Sequence, residues 1–337
     1  MLGAALLDRQ IGRNVAGYDL LYYYAEAGIE LALAVLPRDY EEFLAFEGVF
    51  ENLDKPPYFK VEVTNTGENN TKLLYSTGYL EGKKRALKVL ARFSPLGANG
   101  LYSKEYILLD CVDVRGNVTG GEVSFCSGAS RIWGNLYCKD VRAFDGGIID
   151  VYGRRCELAE VPVFAPDFNA LYEKAQNGDG WYMPEVTDND FIWGELFAED
   201  ARKVFVPGNL LIEGEFFFNG LIVVRGEVIF RCPSADNMLV LLAEGNIFLE
   251  MEQEPVSAIM GSNIFYSSEM ICDCRSGAIQ RLKVEGALLA KDGLELSGLD
   301  LIFNEEGLYE YLEEIGPESF VGLASFNLEW VDSVPRR

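Results

Sequence analysis

"GNLLIEGEFFFNGLIVVRGEVIFRCPSADNMLVLLAEGNIFLE", residues 208–250, decides how this chain folds. A short unit recurs in it: "GNLLIEG" starts at Gly208, "GEVIFRC" at Gly226 and "GNIFLEM" at Gly245. "GSNIFYS" at Gly261 and "DGLELSG" at Asp292 have the same shape. From Gly208 to Gly261 the starts lie 18, 19 and 16 residues apart. Between them run the apolar segments "FNGLIVV", "NMLVLLA", "VSAIM" and "VEGALLA". One coil of a parallel β-solenoid carries two or three short strands joined by turns, so a period of this length fits that architecture. Each coil buries its inward residues against the coils above and below. A corner glycine permits a tight bend or a positive φ. A β-sandwich of regular hairpins is the competing architecture, and the fixed period favours the solenoid.

Working outward, short glycine-punctuated strands begin near residue 101, which sets a solenoid over 98–303. Residues 161–200 interrupt it, with "VFAPDFNALYEKAQNGDGWY" reading as a short helix and loop. After the last coil, "NEEGLYEYLEEIGP" sets Leu308, Leu312 and Ile315 on one face and acids on the other, a cap and tail over 304–337. Such a cap would block an open end that otherwise polymerises.

The other end of the chain has a different period. Residues 2–36 read as one helix ended by Pro37. Ile11, Val15, Tyr18, Tyr22, Ala25, Ile29, Leu33 and Leu36 draw one apolar stripe, and Leu20, Tyr24, Ala27, Leu31 and Val35 a second beside it. Glu26 falls between the stripes. At about 1.5 Å per residue this helix is about 50 Å long, more than one small domain covers. "YFKVEVTN", "TKLLYSTGYL" and "KKRALKVLARFS" follow as strands separated by turn signals, so 38–97 reads as a small antiparallel sheet beneath the helix of 1–37.

Composition excludes much chemistry. The 337 residues carry 53 acidic and 29 basic side chains, a formal charge of −24, which repels phosphate backbones and argues against nucleic acid. There is no histidine, so Ser-His-Asp and Cys-His catalysis are excluded. The seven cysteines form no CxxC pair and read as buried reduced thiols, with one or two structural disulfides as the alternative. No catalytic residue, metal or cofactor is expected. Met1–Leu7 is apolar but far short of the roughly 20 residues of a membrane span.

"YYYAEAGIELALAVL", with Ala25-Glu26-Ala27-Gly28, resembles the end of the N-terminal helix of PilX-type minor pilins and related type IV pilus assembly proteins. Ser76-Thr77-Gly78 and Lys83-Lys84-Arg85 resemble the element that follows it, and the coils, "FAPDFNALYEKA" and "LDLIFNEEGLYEYL" resemble the β-solenoid fused behind it. The resemblance implies a mainly β protein with a long pilin-like helix, a small sheet and a capped, right-handed parallel β-solenoid. It also implies a non-catalytic fibre component at the cell surface, anchored in the membrane before assembly through an apolar segment upstream of Met1. A start at Met1 then means a shortened chain or a start codon assigned too far downstream. Other pilins would contact the helix face Ile11, Val15, Tyr18, Tyr22, Ala25, Glu26 and Ile29. Glu26 also reads as a merely solvated charge.

Two rival readings stand beside this one. A polysaccharide-binding or polysaccharide-degrading solenoid would use the acids Asp145, Asp150, Asp188 and Asp190, which have no calcium-loop spacing and read as solvated turns. Trp181, Tyr182, Phe191 and Trp193 are candidate glycan-facing aromatics, although packing against the solenoid is the more ordinary use of such rings. A bactofilin-like polymerising scaffold is opposed by the interruption, the acidic cap and the helix.

Overall fold

The computed structural model describes residues 2–331 apart from 38–39, 68–69, 127, 163, 179, 186–189, 197–200, 215, 232–233, 251–257, 274–280 and 317–324. Its side chains are described outside 2–18, 40, 234–237, 258, 260, 273 and 325–331. The protein is mainly β, and the chain divides into two compact units, 1–97 with 324–337 and 98–323.

The first unit sets helix α1 (Leu2–Val35) and the short α2 (Tyr40–Ala45) with an antiparallel sheet. Strands β1 (Gly48–Asn52), β2 (Phe59–Asn65), β3 (Thr71–Leu80) and β4 (Lys83–Ser94) follow one another in the sheet. The C-terminal strand Ser325–Val331 completes it by pairing antiparallel with β4. The region expected as a cap and tail thus ends in a strand of the first unit's sheet. Period-2 alternation decides the faces: Phe59, Val61 and Val63 of β2 and Val89, Ala91 and Phe93 of β4 all point into one core.

The second unit is a parallel β-solenoid of about nine turns. Strand registers resolve three walls. Wall A holds, in stack order, Trp181–Tyr182, Lys203–Val206, Gly220–Val224, 239–243, 263–267, 286–290, 101–103, 118–120, 136–138 and Arg155–Glu157. Wall B carries the repeating units, from Asp190–Ile192 through Asn209–Glu213, Val228–Arg231 and Ile247–Leu249 to 106–110 and beyond. Wall C includes 282–286, Leu299–Phe303, Asp113–Arg115, Ala129–Ile132 and Ile148–Val151.

The stack order is not the chain order. The chain enters in the middle at 101–103 and winds outward to Arg155–Glu157. It then crosses to the opposite end at Trp181 and winds back until 288–297 pairs with 101–110. The interruption is that crossover. Its helix α3 (Phe168–Asn177) starts where the Asp167 side chain accepts from the Asn169 and Ala170 N–H groups, and ends at Gly178 with φ 79°. Pro162 C=O accepts from Tyr102 Oη, Phe164 packs on Tyr266, and Tyr172 on Phe205. The crossover thus runs down the outside of wall A.

Two expectations need correction, and a third divides. The segment read as an end cap, Glu306–Ile315, follows a coil in the middle of the stack. It lies beside the strands Ser234–Ala243 and Ala258–Asp273, with the Gly307 N–H donating to Ser262 Oγ at 2.8 Å, and its Glu313 and Glu314 carbonyls accept from Lys174 of α3. The unit at Gly261 belongs to wall A, and 270–272 is the wall B successor of Ile247–Leu249. Both walls share an apolar rhythm, so spacing alone could not separate them. The corner glycines divide between the two expected uses: Gly261 has φ 91°, whereas Gly226, Gly245, Gly134 and Gly153 do not have positive φ. A Cβ on Gly245 would sit 2.8 Å from the Gly226 carbonyl oxygen, so glycine is needed because stacked corners touch. The asparagine after the glycine completes the corner: Asn117, Asn135 and Asn209 each accept from a backbone N–H one coil on, at 2.9 Å.

Candidate functional site

Helix α1 uses its two stripes differently. Leu21, Ala25, Gly28, Ile29, Ala32 and Leu36 are buried. Ile29, Ala32 and Leu36 share a core with Phe43, Leu74 and the inward residues of β2 and β4. Two glycines bring helix and strand together. A Cβ on Gly78 would land on the Leu21 carbonyl oxygen and 2.8 Å from the Ala25 nitrogen; one on Gly28 would land on Ser76 Oγ and 3.0 Å from the Phe59 ring. Ala25-Glu26-Ala27-Gly28 and Ser76-Thr77-Gly78, motifs far apart in the chain, are therefore the two sides of one close contact. Small residues there let the backbones approach. Ser76 Oγ is buried in this contact without a hydrogen-bond partner among the described residues.

The face expected to meet other pilins is thus partly spent inside its own unit. Ala25 and Ile29 are buried at 0% and 1% exposure and present no surface. Tyr22 is half-buried with the Arg85 guanidinium 5.1 Å from its ring centre, and Glu26 is half-buried at the flank. Ile11, Val15 and Tyr18 lie outside the described side chains. The second stripe is divided: Tyr24 packs edge-on against Tyr58 and Ala27 against the unit's core, while Leu20, Leu31 and Val35 are 43%, 39% and 40% exposed, and Tyr23, outside both stripes, is 62% exposed. On a helix the four exposed residues fall along one side, opposite the sheet. No helix among the described residues is long and apolar enough to cross a membrane.

No protein-family model and no curated protein sequence matches this chain. Among solved structures, the chain is similar to the competence-associated pilin ComZ from Thermus thermophilus at 10% identity and a TM-score of 0.30. That match covers 95% of this chain and 97% of that one. The superposition is loose at this score and carries no functional argument.

The candidate glycan aromatics are packing residues. Trp181 and Phe191 are each 8% exposed, and Tyr182 is half-buried against the solenoid core. Trp193 meets Phe216 and Phe218 edge-on at 5.2 and 4.9 Å. The Lys203 ammonium lies 5.5 Å from the Trp181 ring centre. Of the acids, Asp145 and Asp150 are exposed, Asp190 accepts from Asn209 Nδ2 at 2.8 Å, and Asp188 lies outside the described residues. Among the described residues no three cysteine or acidic side chains gather as a metal site. Cys111, Cys138 and Cys156 are thiols, and burial pushes the Cys138 thiol pKa up.

Proposed function

We propose that this chain is a non-catalytic structural component of a type IV pilus-like surface fibre, of the PilX-like minor-pilin kind. It would join the fibre through α1 and hold the solenoid outward for assembly or adhesion, with membrane anchoring before assembly through a segment upstream of Met1. The observation that carries this reading is the division of labour on α1. Over the described side chains, one side of the helix is buried against the unit's own sheet, and another leaves Leu20, Tyr23, Leu31 and Val35 exposed. Exposed apolar side chains along one side of a helix fit helix–helix packing in a fibre. The contact face proposed is therefore this exposed side.

The test is fibre incorporation in the cell that produces the protein. The double variant Tyr23→Asp, Leu31→Asp is expected to remain folded, by circular dichroism and thermal melting, and to disappear from sheared surface fibres. Normal incorporation of that variant, or recovery of the wild-type chain only from the cytoplasm with Met1 unprocessed, would sink the reading.

A further inference from the structure

The outer face of wall C carries a groove of about 460 Å³. Strand register arranges its side chains in rows along the stack. Ile302 lies beside Arg115, and backbone hydrogen bonds from Trp133 to Val114 and from Tyr152 to Ile132 continue that row through two aromatic rings. Trp133 and Tyr152 are 49% and 58% exposed and stack in parallel, with ring centres 4.1 Å apart. Tyr152 covers one face of the indole. The other borders the groove, which Trp133 and Arg115 line and Tyr152 does not.

The charges in the groove are unequal in their commitments. Asp113 and Asp300 are held by Arg281 at 2.8 and 2.9 Å, and Asp113 also by Arg131 at 2.9 Å. The Glu285 carboxylate also lines the groove and accepts from Asn304 Nδ2 at 3.0 Å, while Arg115 and Lys283 line it with no ion-pair partner among the described residues. In a chain of net charge −24, an uncommitted arginine one coil from an exposed indole, with an uncommitted lysine two coils further along the stack, is a local exception. We infer that this groove binds an anionic polysaccharide, with the indole stacking on the apolar face of a sugar ring, Arg115 receiving one uronate carboxylate and Lys283, two coils along the stack, another. An acidic peptide would use the cations but has no ring to lay on Trp133. Coils repeat about every 4.8 Å, close to the advance of one sugar along an extended chain, so successive coils can meet successive sugars. Arginine suits a carboxylate because its donors form a planar fork.

The groove lies wholly in the solenoid and its test uses no fibre, so its failure and that of the helix reading are separable. Calorimetric titration of the whole chain with oligogalacturonate at low salt is expected to show saturable binding. A neutral maltooligosaccharide and polyglutamate should each bind at least about tenfold more weakly. Trp133→Ala is expected to lower oligogalacturonate affinity about tenfold, and Trp133→Phe to retain most of it. Arg115 is exposed, so Arg115→Gln should keep the thermal melt unchanged while weakening binding several-fold. The inference is overturned by no binding of oligogalacturonate, by equal binding of polyglutamate or the neutral sugar, or by indifference to both Trp133→Ala and Arg115→Gln.

Discussion

Wall A of the solenoid and helix α1 are both apolar on two sides, and the chain treats them differently. Gly220–Val224 is buried at all five positions, because its inward residues fill the coil while α3, the crossover and Glu306–Ile315 supply cover along the wall's outside. A parallel strand buried on both faces reads as a continuous apolar run. Walls B and C lack that cover over the segments described, and their strands alternate, as in Val228–Arg231. On α1 both stripes are apolar, yet Leu20, Leu31 and Val35 of the second stay exposed. The comparison teaches that an apolar surface has to be matched to its cover. The solenoid supplies its own from distant sequence, and α1 leaves one side for something else.

Truncation on wall A would break the comparison most severely. Leu241 points into the solenoid core and is fully buried, so Leu241→Ala is expected to cost about 4 kcal/mol. Leu242 points the other way yet is 1% exposed, so Leu242→Ala should cost about 3 kcal/mol. Ile229, outward and half-buried on wall B, should cost under about 1 kcal/mol as Ile229→Ala. Urea unfolding of the three variants checks the ranking. Equal costs for Leu242 and Ile229 would mean that the cover on wall A is not packed.

A smaller effect separates the two sides of α1. Gly78→Ala forces a methyl against the helix backbone, which cannot yield as a flexible side chain would. The expected loss is about 2 kcal/mol in the first unit. Tyr23→Ser on the exposed side should lie within about 0.5 kcal/mol of wild type. Limited proteolysis of the N-terminal unit, alongside urea unfolding, reads both. A harmless Gly78→Ala would refute the close helix–strand contact.

Much of this was legible in the residues. Continuous runs such as "GLIVV" and alternating ones such as "GEVIF" already distinguish a wall covered on both sides from one with a bare face. The Gly-Asn corners were visible as units, although their cause is stacking contact and not positive φ. Stack order was not legible, because a repeat specifies how one coil meets the next but not which coil is terminal. Pairing of 101–110 with 288–297 joins residues at opposite ends of the solenoid sequence. Nor could periodicity say which helical stripe meets the sheet. The two glycines Gly28 and Gly78 were the available signal, since each marks a close backbone approach. "SFNLEWV" does alternate apolar residues and could have been read as a strand. The wall C aromatics had a signal too: "RIW" and "DVY" end at Trp133 and Tyr152, one coil apart.

The weakest expected effect tests the same cover from the side of pH. Tyr102 and Tyr266 lie on wall A beneath the crossover, in contact with Pro162 and Phe164. Burial raises the Tyr102 phenol to about 12, offset in part by a backbone hydrogen bond at Phe164. Burial, then the neighbouring Tyr102 and Asp292, raises Tyr266 as well. The folded state therefore keeps these protons at a pH where the unfolded chain, near the ordinary value of 10.0, has lost them. Their contribution is complete below about pH 10 and is lost as pH rises through about 12. A loss on the order of 1–2 kcal/mol for each of these tyrosines is expected between pH 8.5 and 11.5. Tyr106, raised to about 12 by burial and by Glu295 on wall B, and Tyr311, raised by burial and by Glu310, contribute a remainder that the crossover does not control. In Tyr102→Phe, Tyr266→Phe the alkaline loss should shrink to that remainder. An undiminished loss, measured by urea unfolding at both pH values, would mean that the crossover does not keep wall A dry, and wall A would then differ from walls B and C in composition alone.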